Sequence, residues 1–297
     1  MSRPGLVGAT VSLLGATLFW AGNYIVGARA VQSIDPFSLT LLRWVLALPL
    51  LLALAQLIER PDWRQVLAAW RWLLALSFFG LLAYTGFLYA ALEATSAFNA
   101  SLINAFNPAL IALAGAVFLR ERLTPLAVAG ILVALIGVLI VVTDGDPASV
   151  LRTGFGPGEL LMLGAITAWT GYAVVGRRVP PLPPIASTAA QAAVAVLLLA
   201  PIGLLTGVTL PGDPASTGSL LFIVVFPSVL SYLLWTRALL VLPAGSAGVF
   251  LNLITVFTAA FTIIVGDPYT SAQVVGGLVV IAGVVLTNGG HLRRRPG

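Results

Sequence analysis

The side chains of this chain that could engage another molecule are few and of similar character. They are the amides Asn23, Asn104 and Asn252, the phenols Tyr24, Tyr84, Tyr89, Tyr172 and Tyr232, the indoles Trp20, Trp169 and Trp235, and the guanidinium of Arg43. All fall inside long apolar runs, where a polar group is costly and turns towards a cavity or a partner helix. Ring faces hold apolar bodies, and amides and phenols satisfy polar ends. Groups that make and break bonds are missing. There is no cysteine and no lysine, and the one histidine, His291, stands near the C-terminus. That removes disulfides, thiolate metal sites, cysteine nucleophiles, Schiff-base and P-loop lysines, and a buried histidine base or metal cluster. The expectation is a set of substrate-binding residues with no catalytic site, no metal and no cofactor.

The elements that carry these residues are set by composition. The 297 residues are 59% hydrophobic and 8% charged, against roughly 25% charged in soluble domains. Mean hydropathy is +1.05. Apolar runs between charged or Pro/Gly breaks predict ten spans: Leu6–Val31, Phe37–Ile58, Trp72–Leu92, Ala97–Leu119, Pro125–Thr143, Gly158–Val179, Pro184–Thr206, Thr217–Val241, Ala244–Gly266 and Ser271–Asn288. A span needs about 20 residues, so no room remains for a large soluble domain. The runs lack the short length and alternating polarity of β-barrel strands. The first is too long for a signal-peptide core and has a counterpart later in the chain, so it is read as a mature helix.

All fifteen cations are arginines, and their placement sets orientation. Twelve fall on one side: Arg3; Arg60, Arg64, Arg71; Arg120, Arg122; Arg177, Arg178; Arg237; and Arg293, Arg294, Arg295. The opposite side holds Arg29 and Arg152, while Arg43 lies within a span. The positive-inside rule then places both termini in the cytoplasm. The net charge of +5 is scattered over short loops, which fits an orientation signal and not a nucleic-acid surface.

The two halves resemble each other. GATLFWAGNYIVGAR from Gly15 parallels GAITAWTGYAVVGRR from Gly164 at offset 149, pairing Trp20 with Trp169 and Gly22 with Gly171. At offset 148 Pro36, Thr40 and Arg43 meet Pro184, Thr188 and Gln191; at 147 Gly80 meets Pro227. At 146 ERLTPLAVAGILVALIGV meets DPYTSAQVVGGLVVIAGV, pairing Glu121 with Asp267, Gly130 with Gly276 and Gly137 with Gly283. An offset drifting so little over five helices argues against chance likeness of apolar helices. An odd number of helices per copy inverts the second copy. The fold class expected is an all-α integral membrane protein, ten transmembrane helices as two inverted five-helix repeats, residues 1–146 and 147–297. Such repeats build alternating access around a midplane site, which favours a transporter.

NPALIALAGAVFLRERLTPLAVAGILVALIGV and FSLTLLRWVLA after Pro36 resemble the drug/metabolite transporter superfamily, specifically its EamA-type exporters, along essentially the whole chain. The second repeat departs from the first in Asp267 and Gln191. Within that superfamily the chain is most similar to bacterial aromatic amino-acid exporters. The resemblance implies a multi-pass protein of the bacterial inner membrane with the bilayer and a small-molecule substrate as its partners. No nucleic acid or obligate protein partner is expected.

Each candidate has a second reading. Asn99, Ser101, Asn104 and Asn107 on the fourth span, and Gly248, Asn252 and Thr255 on the ninth, either face a pathway or join helices. Mid-depth Trp20 and Trp169, with Tyr84, Tyr89, Tyr232 and Trp235, either line a cavity or pack a core; Trp63, Trp70 and Trp72 fit the interfacial belt. Arg43, about 10 Å below the outer boundary, either snorkels and ties helices through backbone carbonyls or meets a substrate carboxylate. Glu159 reads as an N-terminal charge favoured by the helix dipole. Gly80, Pro227, Pro49 and Pro201 either bend during rocking or hold static kinks. No carboxylate stands clearly mid-membrane, which leaves facilitated export and proton antiport both open. The rivals are a membrane enzyme such as a lipid-phosphate hydrolase, disfavoured by the missing acid/base and nucleophile set, a pore, and a carrier of drug-like or sugar-phosphate cargo. A polyanion would require more pathway cations than Arg43. The cargo expected is a small amphipathic metabolite, above all an aromatic or other apolar amino acid.

Overall fold

A computed structural model describes residues 5–120, 123–146, 156–242 and 249–292. Arg3, Glu121, Arg122, Arg152, Ala244, Gly248, Arg293, Arg294 and Arg295, and the side chain of His291, lie outside that description. Among the described residues all regular structure is helical. The α-helices are α1 Leu6–Ala30, α2 Pro36–Leu54, α3 Trp63–Ala68, α4 Trp70–Leu76, α5 Tyr84–Ala94, α6 Ala97–Asn104, α7 Asn107–Leu119 and α8 Pro125–Val142. They continue with α9 Pro157–Gly176, α10 Pro184–Thr206, α11 Pro214–Val225, α12 Ser231–Leu239, α13 Leu253–Val265 and α14 Ser271–Leu292. Among the described residues seven continuous helical stretches are long and apolar enough to cross a membrane, and three shorter apolar helices lie in α8, α13 and α14. Large apolar side chains cover the outside; Leu204 and Leu205 are 87% and 88% exposed, a surface suited to lipid and costly in water.

Local chemistry fixes the helix starts. Asp35 Oδ1 accepts from Ser38 N at 2.9 Å and Pro36 opens α2. Ser96 Oγ accepts from Asn99 N at 3.0 Å, Thr124 Oγ1 from Ala127 N at 3.1 Å, and Asp213 forms a capping box with Ser216. Each satisfies an orphan N–H of a first turn. At the far ends Gly207 and Gly266 take φ of 89° and 83°, which glycine adopts without steric cost.

Several spans are irregular in mid-course. A π-helical stretch, Ser77–Ala83, joins α4 to α5, and another, Phe226–Leu230, joins α11 to α12. These contain Gly80 and Pro227, the pair matched at offset 147. The loosened carbonyls are claimed from outside: Trp44 Nε1 donates to Leu81 O at 3.1 Å, and Trp20 Nε1 to Pro227 O at 3.1 Å. Between α6 and α7 the helix breaks at Ala105–Phe106, because Pro108 has no N–H to return to Asn104. A 3-10 turn, Val249–Asn252, precedes α13.

Packing places α1 against α11, α12 and α13, and α9 against α5 and α7. Helix α2 pairs with α10, and the two are tied at both ends. Glu59 accepts from Ile185 N and Ala186 N at 2.9 and 2.8 Å, and Ser38 Oγ accepts from Thr209 N at 2.9 Å. Helices α8 and α14 approach backbone to backbone. A Cβ on Gly137 would lie 2.6 Å from Val280 N and 2.7 Å from Gly276 O, and one on Gly283 would lie 2.6 Å from Gly130 O. Gly130 thus faces Gly283 and Gly137 faces Gly276, an antiparallel crossing that only bare backbone permits.

Candidate functional site

The helix irregularities converge on one internal cavity. Trp20, Asn23 and Tyr24 of α1 form one wall, and Arg43 of α2 reaches in beside them. Gly80 of the first π-helical stretch, with Tyr84 and Thr85 of α5, supplies the next. The α6–α7 break contributes Asn104, Ala105, Asn107, Pro108 and Ile111. Trp169 of α9, Tyr232 of α12, and Leu251, Asn252 and Ile254 around the 3-10 turn complete the lining. The cavity volume is about 60 Å³, enough for a handful of waters. A larger solute therefore needs the walls to spread.

Two aromatic clusters flank this space, each built from residues of both halves. Trp20 lies edge-on to Tyr232, with ring centroids 5.9 Å apart, and 5.5 Å from Trp235. Trp169 sits 4.9 Å from Tyr84 and stacks on Tyr172 at 4.9 Å. The hydroxyls of Tyr24 and Tyr84 meet at 3.4 Å. Nine of the twelve residues selected by sequence therefore share the cavity: Trp20, Asn23, Tyr24, Arg43, Tyr84, Asn104, Trp169, Tyr232 and Asn252. Tyr89, Tyr172 and Trp235 stand one layer behind it, against Arg43, Trp169 and Trp20 respectively.

The polar chemistry concentrates on Arg43, which is 4% exposed. Its Nε donates to Ser228 Oγ at 2.7 Å and its Nη1 to Tyr89 OH at 2.7 Å. Tyr89 OH in turn donates to Asn23 Oδ1 at 3.0 Å. The guanidinium also stands over the Trp44 ring at 4.9 Å, a cation–π contact. Asn252 is buried with Oδ1 unpaired. Asn107 Oδ1 accepts from Thr170 Oγ1 at 3.3 Å. Glu159 lies away from the cavity, in the first turn of α9, where its carboxylate accepts from Thr95 Oγ1 at 2.7 Å and Asn99 Nδ2 at 2.8 Å. Arg178 Nη2 donates to the carbonyl of Phe118 at the end of α7. Ser228 escaped notice in the sequence because nothing local marks it; only the fold brings it to Arg43.

Comparison with known proteins gives the family. The sequence profile of the EamA-like transporter family matches twice, over residues 8–143 and 156–289. The uncharacterized transporter YyaM of Bacillus subtilis is 29% identical over 286 residues, 94% of this chain and 93% of that protein. An uncharacterized transporter of Archaeoglobus fulgidus is 30% identical over 280 residues, 91% of this chain and 93% of the relative. The aromatic amino acid exporter YddG of Ancylobacter novellus is 29% identical over 187 residues, 62% of each chain. A solved crystal structure at 22% identity superposes with a TM-score of 0.67, covering 99% of this chain and all of that one, so the fold is shared. With the profile spanning nearly the whole sequence, the chain belongs to the EamA-like transporter family and is a multi-pass membrane transporter, not an enzyme.

Proposed function

We propose that the protein exports a small amphipathic metabolite, above all an aromatic or other apolar amino acid, outward across the bacterial inner membrane by alternating access. The substrate site in this reading is the aromatic cavity, and the observation that carries it is the convergence of Trp20, Trp169, Tyr84, Tyr232, Asn104 and Asn252 on that one space. Indole and phenol faces suit an apolar ring, and amides and hydroxyls suit the charged ends of a zwitterion. A zwitterion brings little net charge, which matches a lining with Arg43 as its one ionised group. The similarity to an aromatic amino acid exporter points the same way.

Ten membrane-crossing segments in two inverted five-helix repeats, residues 1–146 and 147–297, supply the moving frame, with both termini cytoplasmic. Three observations support that arrangement. The family profile matches once in each half. The packing of α1 on α12 and α13 is mirrored by that of α9 on α5 and α7. The α8–α14 crossing is self-complementary: Gly130 and Gly276 occupy matched positions, as do Gly137 and Gly283, and each faces the other pair's partner. Exchange of such matched helices across a pseudo-two-fold axis gives alternating access to a shared midplane site.

Competition in proteoliposomes tests the cargo. Phenylalanine, tryptophan or methionine should inhibit and drive exchange, and phosphorylated sugars should not. Saturable sugar-phosphate exchange with indifference to every amino acid refutes the cargo. The site is refuted if Trp20→Ala, Trp169→Ala and Asn252→Ala all transport normally while folded.

A further inference from the structure

We infer that Arg43 is the carboxylate-binding residue of the cavity, and that the site accepts solutes bearing a single anionic group attached to an apolar body. The inference rests on the cavity being the substrate site. It selects between the two roles that the sequence leaves open for this arginine.

The geometry disfavours a structural role on two counts. A snorkelling arginine sends its guanidinium to the headgroups, but Arg43 is 4% exposed and lines the interior cavity. A helix tie through backbone would use carbonyls, whereas its protein acceptors are the hydroxyls of Ser228 and Tyr89. Those hydroxyls come from separate elements, the Phe226–Leu230 stretch and α5. Tyr89 is itself held by Asn23 of α1. Three segments thus fix one guanidinium of α2, and Nη2 alone has no hydrogen-bond partner among the described residues.

Charge gives the second argument. Arginine stays protonated in proteins. Hydroxyls satisfy its N–H groups but do not neutralise it, and Arg43 makes no ion pair among the described residues. A cation in a low-dielectric site without a counter-charge is costly, and one anion entering beside it recovers a large part of that cost. Guanidinium and carboxylate also match in shape and donor direction. The opposite half brings no second cation to the cavity lining. The matched position is Gln191, whose amide Nε2 donates to Ser187 Oγ at 3.1 Å and which does not line the cavity. One anionic group is therefore provided for, with its end of the solute directed to α2. Ser228 and Tyr89 act through Arg43 as positioning residues.

The test compares solutes on the unmodified protein in proteoliposomes, so it needs no variant to fold. Inhibition of exchange is measured for L-phenylalanine, 3-phenylpropionate, which keeps the carboxylate without the amine, and L-phenylalaninamide, which keeps the amine without the carboxylate. Phenylalanine and 3-phenylpropionate should compete, and the amide should be weaker than phenylalanine by about tenfold or more, the worth of a charge-assisted hydrogen bond. In Arg43→Gln that preference should disappear, with half-saturation for phenylalanine rising by a similar factor; Arg43→Lys should keep part of it. Equal inhibition by phenylalanine and its amide overturns the inference while leaving amino-acid export standing. Competition by 3-phenylpropionate and other apolar monocarboxylates, lost in Arg43→Gln, with no response to any amino acid, upholds it while the proposed cargo fails.

Discussion

Replacing Gly137 by alanine probes the close backbone contact between α8 and α14. The added methyl would stand 2.6 Å from the backbone nitrogen of Val280 and 2.7 Å from the carbonyl oxygen of Gly276. Neither is the end of a flexible side chain, so relief requires α8 and α14 to separate along their crossing. Overpacking typically costs 1–3 kcal/mol, and backbone obstruction puts this substitution near 3. At about 2–4 °C per kcal/mol for a chain of this size, the melting temperature should fall by about 6–12 °C. Gly218→Ala is the control: the site is exposed on α11 and nothing lies within 4 Å of a Cβ there. It should gain up to about 1 kcal/mol of helix propensity. The assay is intrinsic tryptophan fluorescence of detergent-purified protein at one fixed scan rate, since unfolding of such proteins is commonly irreversible. Adding Val280→Ala to Gly137→Ala should give little rescue, because the backbone atoms remain. Transport half-saturation should be unchanged in the folded fraction, as neither α8 nor α14 lines the cavity. A Gly137→Ala protein that melts at or above Gly218→Ala would refute the reasoning.

Glu59→Gln should lower the melting temperature by the loss of about 1 kcal/mol, because the carboxylate takes two backbone N–H groups at the start of α10 and an amide oxygen replaces only part of that. Asp35 should give an acid-side loss of stability. Burial raises its pKa, but hydrogen bonds from the Ser38 side chain and backbone, Thr209 and Phe37 outweigh this and hold it below the ordinary carboxylate range. Its contribution is therefore complete above the unfolded-state value of about 3.9 and is lost as pH falls through the folded one. Melting temperature should drop below about pH 4, with a shallower drop in Asp35→Asn. A reporter fused after Asn288 should read cytoplasmic, and a periplasmic reading overturns the proposed orientation.

Much of this architecture is written locally in the sequence. Pro184–Thr206 and Ala97–Leu119 have the ends expected of them, because proline starts, side-chain caps and terminal glycines act within a turn or two. The break beside Pro108 was foreseeable for the same reason. The π-helical stretches were not: they depend on Trp44 and Trp20 arriving from other helices to take up carbonyls. Helix phase explains the site. Tyr84 and Tyr89 are five residues apart, about 140° around a helix, so when Tyr84 faces the cavity Tyr89 turns behind it. Trp169 and Tyr172, or Tyr232 and Trp235, are three apart and share a face broadly, yet only the nearer ring of each reaches the space. The two roles of Arg43 could be separated only once Ser228, Tyr89 and Asn23 were seen around it.

The uncompensated guanidinium at α2 has an electrical consequence. A charge lodged in the hydrocarbon layer is acted on by the membrane potential, at about 2.3 kcal/mol per 100 mV for a full crossing of the field. In the proposed alternating access the aqueous boundary would shift from one side of the cavity to the other, so Arg43 would sample a different fraction of the voltage drop in each state without itself travelling far. A cytoplasm-negative potential then favours the state in which Arg43 lies electrically closer to the cytoplasm. A zwitterionic passenger leaves that bias nearly unchanged, whereas a passenger with a carboxylate and no ammonium cancels it. Cell energisation would thus distinguish the loaded forms of two cargoes that differ by a single amino group.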